Sequence, residues 1–66
     1  MHVMLNGEPT DLPGPMTIAA LLERLGIDGR MVAVEYNLSI IKRARYAETT
    51  IEPDAEIEIV AFVGGG

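Results

Sequence analysis

The sequence predicts one small α+β domain, a mixed sheet of four to five strands packed on one main helix. Three observations lead there. The chain has 66 residues, enough for one domain whose thin core suits a single sheet against a single helix. Several short segments alternate apolar and polar residues with the period of two that a strand requires. One stretch instead carries apolar residues at helical spacing, bracketed by start and stop signals.

The elements follow in order. Val3 and Leu5 alternate with His2, Met4 and Asn6, which predicts a first strand. It ends at Asn6-Gly7, the dipeptide best suited to a tight hairpin because both residues tolerate positive φ. The return strand is expected over 8–12. Pro9 lacks a ladder donor there and places that strand at an edge, and Pro13-Gly14-Pro15 ends it. Thr17 offers a hydroxyl to cap a helix over 18–25, and Gly26 can take the left-handed conformation just past its end. At about 100° per residue, Ile18, Leu21, Leu22 and Leu25 form one apolar stripe. The β-branched and apolar run 31–36 predicts a long strand, and Ile40 with Ile41 a short one. Pro53-Asp54-Ala55 provides a turn before the last strand, expected over 56–63. There Ile57, Ile59 and Ala61 share one face, and Glu58, Val60 and Phe62 the other.

Charge and composition narrow the function. Five Lys and Arg against ten Asp and Glu give a net charge of −5, a poor match for nucleic acid or an anionic membrane and a better one for a basic protein surface. The sequence has no cysteine and one histidine, His2, so thiolate sites are excluded and an imidazole metal site cannot be built. The longest apolar runs, 18–22 and 59–63, are five residues each, far below the roughly 18 needed to span a bilayer. The N-terminal segment shows no secretory pattern, and the expected location is the cytoplasm.

Enzymatic constellations are sparse. Thr10, Ser39, Thr49 and Thr50 offer hydroxyls, but a nucleophile also needs a base and an orienting group. Glu56 and Glu58 share a strand face and Glu52 flanks a turn with Asp54; both pairs read as solvated carboxylates. Lys42, Arg43 and Arg45 read as a solvated basic patch or a docking patch. The expectation is a carrier or interaction protein, not an enzyme, with no cofactor or metal bound by this chain.

Gly64, Gly65 and Gly66 stand apart from the body. Ordered glycines lose the most backbone entropy and contribute no side chain to a core, so a domain over 1–63 with a flexible tail over 64–66 is expected. Extended, three residues reach about 10 Å, slim enough for a narrow channel in another protein. An α-carboxylate at Gly66 would be ionised at neutral pH and a poor acyl donor until ATP converts it to an acyl-adenylate. The activated carbonyl could then accept sulfide, giving a thiocarboxylate, or an amine, giving an isopeptide.

Taken together, these residues resemble the ThiS family of sulfur carrier proteins of thiamine biosynthesis over nearly the whole chain. The resemblance rests on Asn6-Gly7, Thr17-Ile18-Ala19-Ala20-Leu21-Leu22, Val32-Ala33-Val34-Glu35-Tyr36-Asn37, Ile40-Ile41 and Arg43-Ala44-Arg45-Tyr46. It continues from Ile57-Glu58-Ile59 through Val60-Ala61-Phe62-Val63 to Gly64-Gly65-Gly66. It implies a β-grasp, ubiquitin-like fold with the last strand central. It also implies that a ThiF-like adenylyltransferase uses ATP and Mg²⁺ to adenylate Gly66, that a sulfur donor system converts it to a thiocarboxylate, and that a ThiG-like thiazole synthase receives the sulfur. Gly65 and Gly64 would thread the partner's active-site channel. A diglycine end also fits a molybdopterin-synthase small subunit or a ubiquitin-like modifier. Two sites depart from the common family pattern: Lys42 stands where many members have proline, and Asp54-Ala55 where many have Asp-Gly. Val60 and Phe62, on the face away from the helix, are the expected partner contact.

Overall fold

The computed structural model describes residues 1–62. The end of the predicted last strand, Val63, and the tail Gly64, Gly65 and Gly66 lie outside the described residues. The elements are β1 (His2–Leu5), β2 (Glu8–Asp11), α1 (Ile18–Leu25), a 3-10 turn (Gly29–Met31), β3 (Val32–Tyr36), β4 (Ser39–Ile41), a second 3-10 turn (Arg43–Arg45) and β5 (Glu56–Ala61). All five strands join one sheet in the order β2-β1-β5-β3-β4. β1 and β5 are parallel and the other pairs antiparallel, so the sheet is mixed, the last strand is central and the helix covers one face. This is the expected β-grasp arrangement.

Local chemistry sets each boundary. Asn6 and Gly7 take φ of 51° and 80°, the left-handed pair of a type I′ turn whose twist matches the flanking strands. Pro9 lies on β2, at the sheet edge, opposite Met4. Thr17 accepts the Ala20 N–H at 3.1 Å through its side chain, which satisfies one of the orphan donors at the helix start. Two others, the Ile18 and Ala19 N–H groups, go to the carbonyls of Thr49 and Tyr46 at 3.0 Å each. Gly26, at φ 72°, ends the helix; its N–H bonds the Glu23 carbonyl at 3.1 Å and the Ile27 N–H bonds Leu22 at 2.9 Å, the paired pattern of a Schellman motif.

The core lies between α1 and the sheet. Val3, Ile18, Leu21, Leu22, Val34 and Ile57 are buried, and Ile51 and Tyr46 join them from the irregular segment between β4 and β5. Leu25 departs from the predicted stripe: it is 44% exposed. It sits on the last turn of α1 and lines an open cleft of about 350 Å³ together with Leu5, Ile27, Met31, Ile59 and Ala61. Met31 is likewise outside the strand predicted for it. Asp28 Oδ1 accepts the Arg30 N–H at 2.9 Å and draws 29–31 into a 3-10 turn. The return strand stops at Asp11, one residue early, although the Leu12 N–H still bonds the Met1 carbonyl at 2.7 Å.

Both departures from the ThiS pattern fit the backbone. Lys42 has φ −69° and ψ 144°, values proline would hold, so lysine enters the same geometry without its ring. At the second site the positive φ, 65°, belongs to Asp54, a residue type that tolerates it. Ala55 is buried, so its methyl contributes to the core.

Candidate functional site: the end of the central strand

β5 is gripped where it starts and open where it ends. Its first residues pair on both sides, Met4 and Leu5 with Glu56 and Ile57 across β1, and Glu35 and Tyr36 with Glu58 and Ile57 across β3. The Asn37 side-chain carbonyl accepts the Glu56 N–H at 2.8 Å. Beyond the end of β1 the Asn6 side chain takes over, accepting the Ile59 N–H at 2.7 Å. Further along, Val60 and Ala61 pair with Ala33 and Val32 of β3, and the Phe62 N–H bonds the Met31 carbonyl at 3.0 Å.

Alternation then decides which side chains reach water. Ile57 is 1% exposed against the helix, whereas Val60 and Phe62, on the opposite face, are 58% and 60% exposed. Ile40 belongs to the same face, because it and Glu58 both stand opposite Glu35, and it too is exposed. An apolar surface of Val60, Phe62 and Ile40 thus lies beside the last described residue, immediately before the glycine run.

The other candidate residues are not assembled into a site. Thr10 and Thr49 donate their hydroxyls to the carbonyls of Glu8 and Arg45, at 3.1 and 2.8 Å. Among the described residues no three His, Asp or Glu side chains are grouped to hold a metal ion. Among the described residues no helix is long and apolar enough to cross a membrane. Glu58 faces Glu35, a like-charged cross-strand pair, while Glu52 and Asp54 are exposed at their turn. Gly64, Gly65 and Gly66, the residues expected to carry the chemistry, lie outside the described residues.

Sequence reasoning missed the two asparagine clamps and Ile40. The clamps had a signal, since asparagine at the first position of a type I′ turn has a free side-chain amide beside the sheet. Which strand it would meet depends on pairing between residues 53 positions apart.

The match to the ThiS family model runs over residues 3–66. The chain belongs to the ThiS family. Among its relatives is the thiazole synthase of Paramagnetospirillum magneticum, 46% identical over 66 residues, all of this chain and 20% of that protein. The sulfur carrier protein ThiS of Bacillus subtilis is 44% identical over 50 residues, 76% of each chain. The crystal structure of the thiamine biosynthesis protein ThiS from Geobacter metallireducens superposes with a TM-score of 0.87 at 29% identity, covering the whole of both chains. The chain spans about a fifth of the length of the thiazole synthases it matches.

Proposed function

We propose that this ThiS-family chain is a sulfur carrier of thiamine biosynthesis, acting as a protein cosubstrate and not as an enzyme. The observation that supports it most is that the family match runs through Gly66, the residue whose carbonyl the chemistry uses. A ThiF-like adenylyltransferase joins the Gly66 carboxylate to AMP with release of pyrophosphate, using ATP and Mg²⁺ that it binds itself. Hydrosulfide delivered by the sulfur donor system attacks the activated carbonyl, the bond from that carbon to the AMP oxygen breaks, and AMP leaves as the carbon–sulfur bond forms. The resulting thiocarboxylate passes to a ThiG-like thiazole synthase. A loading step that consumes ATP supports a cytoplasmic location.

The proposed reading divides the labour. The folded part presents Val60 and Phe62 to the partner while Gly64 and Gly65 enter its channel, where a Cβ would collide. The thiazole synthase relatives favour the thiamine pathway over molybdopterin synthesis or protein modification. Intact-mass spectrometry tests this directly. Incubation with the adenylyltransferase, ATP and a sulfur source raises the mass by about 16 Da, one oxygen replaced by sulfur at an activated carbonyl. A chain lacking Gly65 and Gly66 stays unchanged in mass while melting as the full chain does. Failure of the full chain to gain sulfur, or high-mass conjugates to lysine amines instead, overturns the reading.

A further inference from the structure

The net charge of −5 conceals an opposite local field beside the end of β5. Four of the five cations, Arg30, Lys42, Arg43 and Arg45, lie on the two short stretches around the 3-10 turns. β4 stops at Ile41, level with Val34, so Val32 and Ala33 at the start of β3 have no strand outside them. The gap is a notch of about 570 Å³ with an apolar floor of Ala33, Ile40, Tyr46 and Phe62, and with Arg30 and Arg43 in its lining.

The two arginines differ in availability. Arg30 is forked onto Asp28, with Nη2 at 2.8 Å from Oδ2 and Nε at 3.1 Å from Oδ1, which fixes its guanidinium. Arg45 leans on Glu48 at 3.8 Å. Arg43 and Lys42 form no ion pair among the described residues. The notch therefore presents the charge of Arg43, which has no ion-pair partner among the described residues, beside an apolar floor that includes Phe62, the last described residue. Within a Debye length, about 8–10 Å at ordinary ionic strength, this local field and not the net charge sets the sign of a contact.

We propose that the notch docks an acidic segment of the thiazole synthase, with a carboxylate against Arg43 and an aliphatic or aromatic side chain on the floor formed by Ile40 and Phe62. This rests on the carrier reading and adds the chemistry of the partner surface to it. Thiazole synthase is the favoured occupant because a homologous stretch forms part of such a protein in Paramagnetospirillum magneticum, so there the two belong to one chain. An extended polyanion fits less well. Glu35 and Glu58 face each other on the same side of the sheet, two residues along from the Ala33–Val60 pair, about 7 Å away at strand spacing. They would repel a phosphate chain running out of the notch, whereas a short acidic segment ends before reaching them.

The test is calorimetric titration of the full chain with the thiazole synthase of the same organism, at low and high salt. Arg43→Glu is expected to weaken binding about tenfold and to flatten the salt dependence, and adding Lys42→Glu weakens it further. Arg24→Glu, which reverses the one cation outside this corner, leaves affinity unchanged. The neutral Arg43→Gln, checked by circular dichroism, shows a smaller loss in the same direction and decides the question if Arg43→Glu misfolds. The proposal is overturned by unchanged or tighter binding of the Arg43 variants, or by equal losses at Arg24 and Arg43. It is equally overturned if the wild-type chain does not bind, or if a single-stranded oligonucleotide or an anionic phosphatidylserine vesicle binds as tightly through Arg43. The wild-type mass gain with the adenylyltransferase judges the carrier reading separately, since it requires no thiazole synthase.

Discussion

The two halves of β5 are made from similar residues under opposite constraints. In the first half Ile57 is sealed beneath α1, flanked by strands on both sides, and the Asn37 side chain holds Glu56 while Asn6 holds Ile59 at the start of the second half. In the second half Val60 and Phe62 face water, and the strand pairing given by register is with β3. Stability is concentrated upstream and an open contact surface downstream, within six residues. On the proposed reading that separation has a use, since a contact made on docking cannot also be one that the free fold requires.

The sharpest way to break this comparison is to substitute one residue in each half. Ile57→Ala removes fully buried methylene groups and should cost about 2–5 kcal/mol, measured by urea denaturation. Val60→Thr, at a solvated position, should change stability by no more than about 0.5 kcal/mol. Similar losses at both positions would show that the open face supports the fold.

The asparagine clamp is expected to come next in size. Asn6→Ala leaves the Ile59 N–H without its acceptor and puts a side chain that disfavours positive φ where the backbone has φ 51°. The expected cost is about 1–3 kcal/mol. Asn6→Gly keeps the backbone geometry and loses only the acceptor, so a smaller loss there separates the two contributions. If both variants match the wild-type chain, β5 is not held by this bond.

Local signals in the sequence made the elements legible, and non-local pairing hid the rest. Thr17 and Gly26 bracket α1 at the predicted residues, and Asn6-Gly7 forms the predicted turn, because capping and turn chemistry act over a few residues. The alternation of β5 correctly set Ile57 against Val60. By contrast, 46–51 shows neither period yet supplies Tyr46 and Ile51 to the core and carbonyls to the start of α1. That role exists only once the chain folds back on the helix. Leu25 shows the limit of periodicity, since a residue can lie on the apolar stripe and still line an open cleft at the end of the helix. For the candidate site, Val60 and Phe62 were readable from alternation, whereas the notch beside them depends on β4 ending short of β3.

The two hairpins give a smaller test at the upstream end. Asn6-Gly7 and Asn37-Leu38 both have positive φ at both positions, yet the second places leucine at 72°, 82% exposed. The left-handed region costs a residue with a Cβ about 1–2 kcal/mol, and glycine's extra freedom when unfolded returns part of that. Leu38→Gly should therefore stabilise the chain by about 0.5–1 kcal/mol. A loss instead would mean that the exposed leucine packs in a way its accessibility does not suggest.

The smallest effect expected is a local titration at the downstream end. The Arg30 side chain, bonded at 2.8 Å, and then the Arg30 backbone N–H at 2.9 Å hold the Asp28 carboxyl down from the ordinary 3.8 to about 2, with a weaker contribution from the charge of Arg43. A depressed folded-state value stabilises the ionised form, so the contribution of this pair is complete above about pH 4 and is lost as the pH falls through about 2. The carboxyl carbon of Asp28, followed by NMR, should titrate near pH 2. Arg30→Gln should move the midpoint part of the way back to the ordinary value, because the backbone N–H of residue 30 remains, whereas Arg43→Gln should move it only slightly. Since Asp28 and Arg30 are both solvent-exposed, the global melt should hardly respond. A wild-type midpoint at the ordinary value would mean that the fork between Asp28 and Arg30 does not persist in solution, and the wall of the notch would lose the rigidity that sets it apart from a loose basic surface.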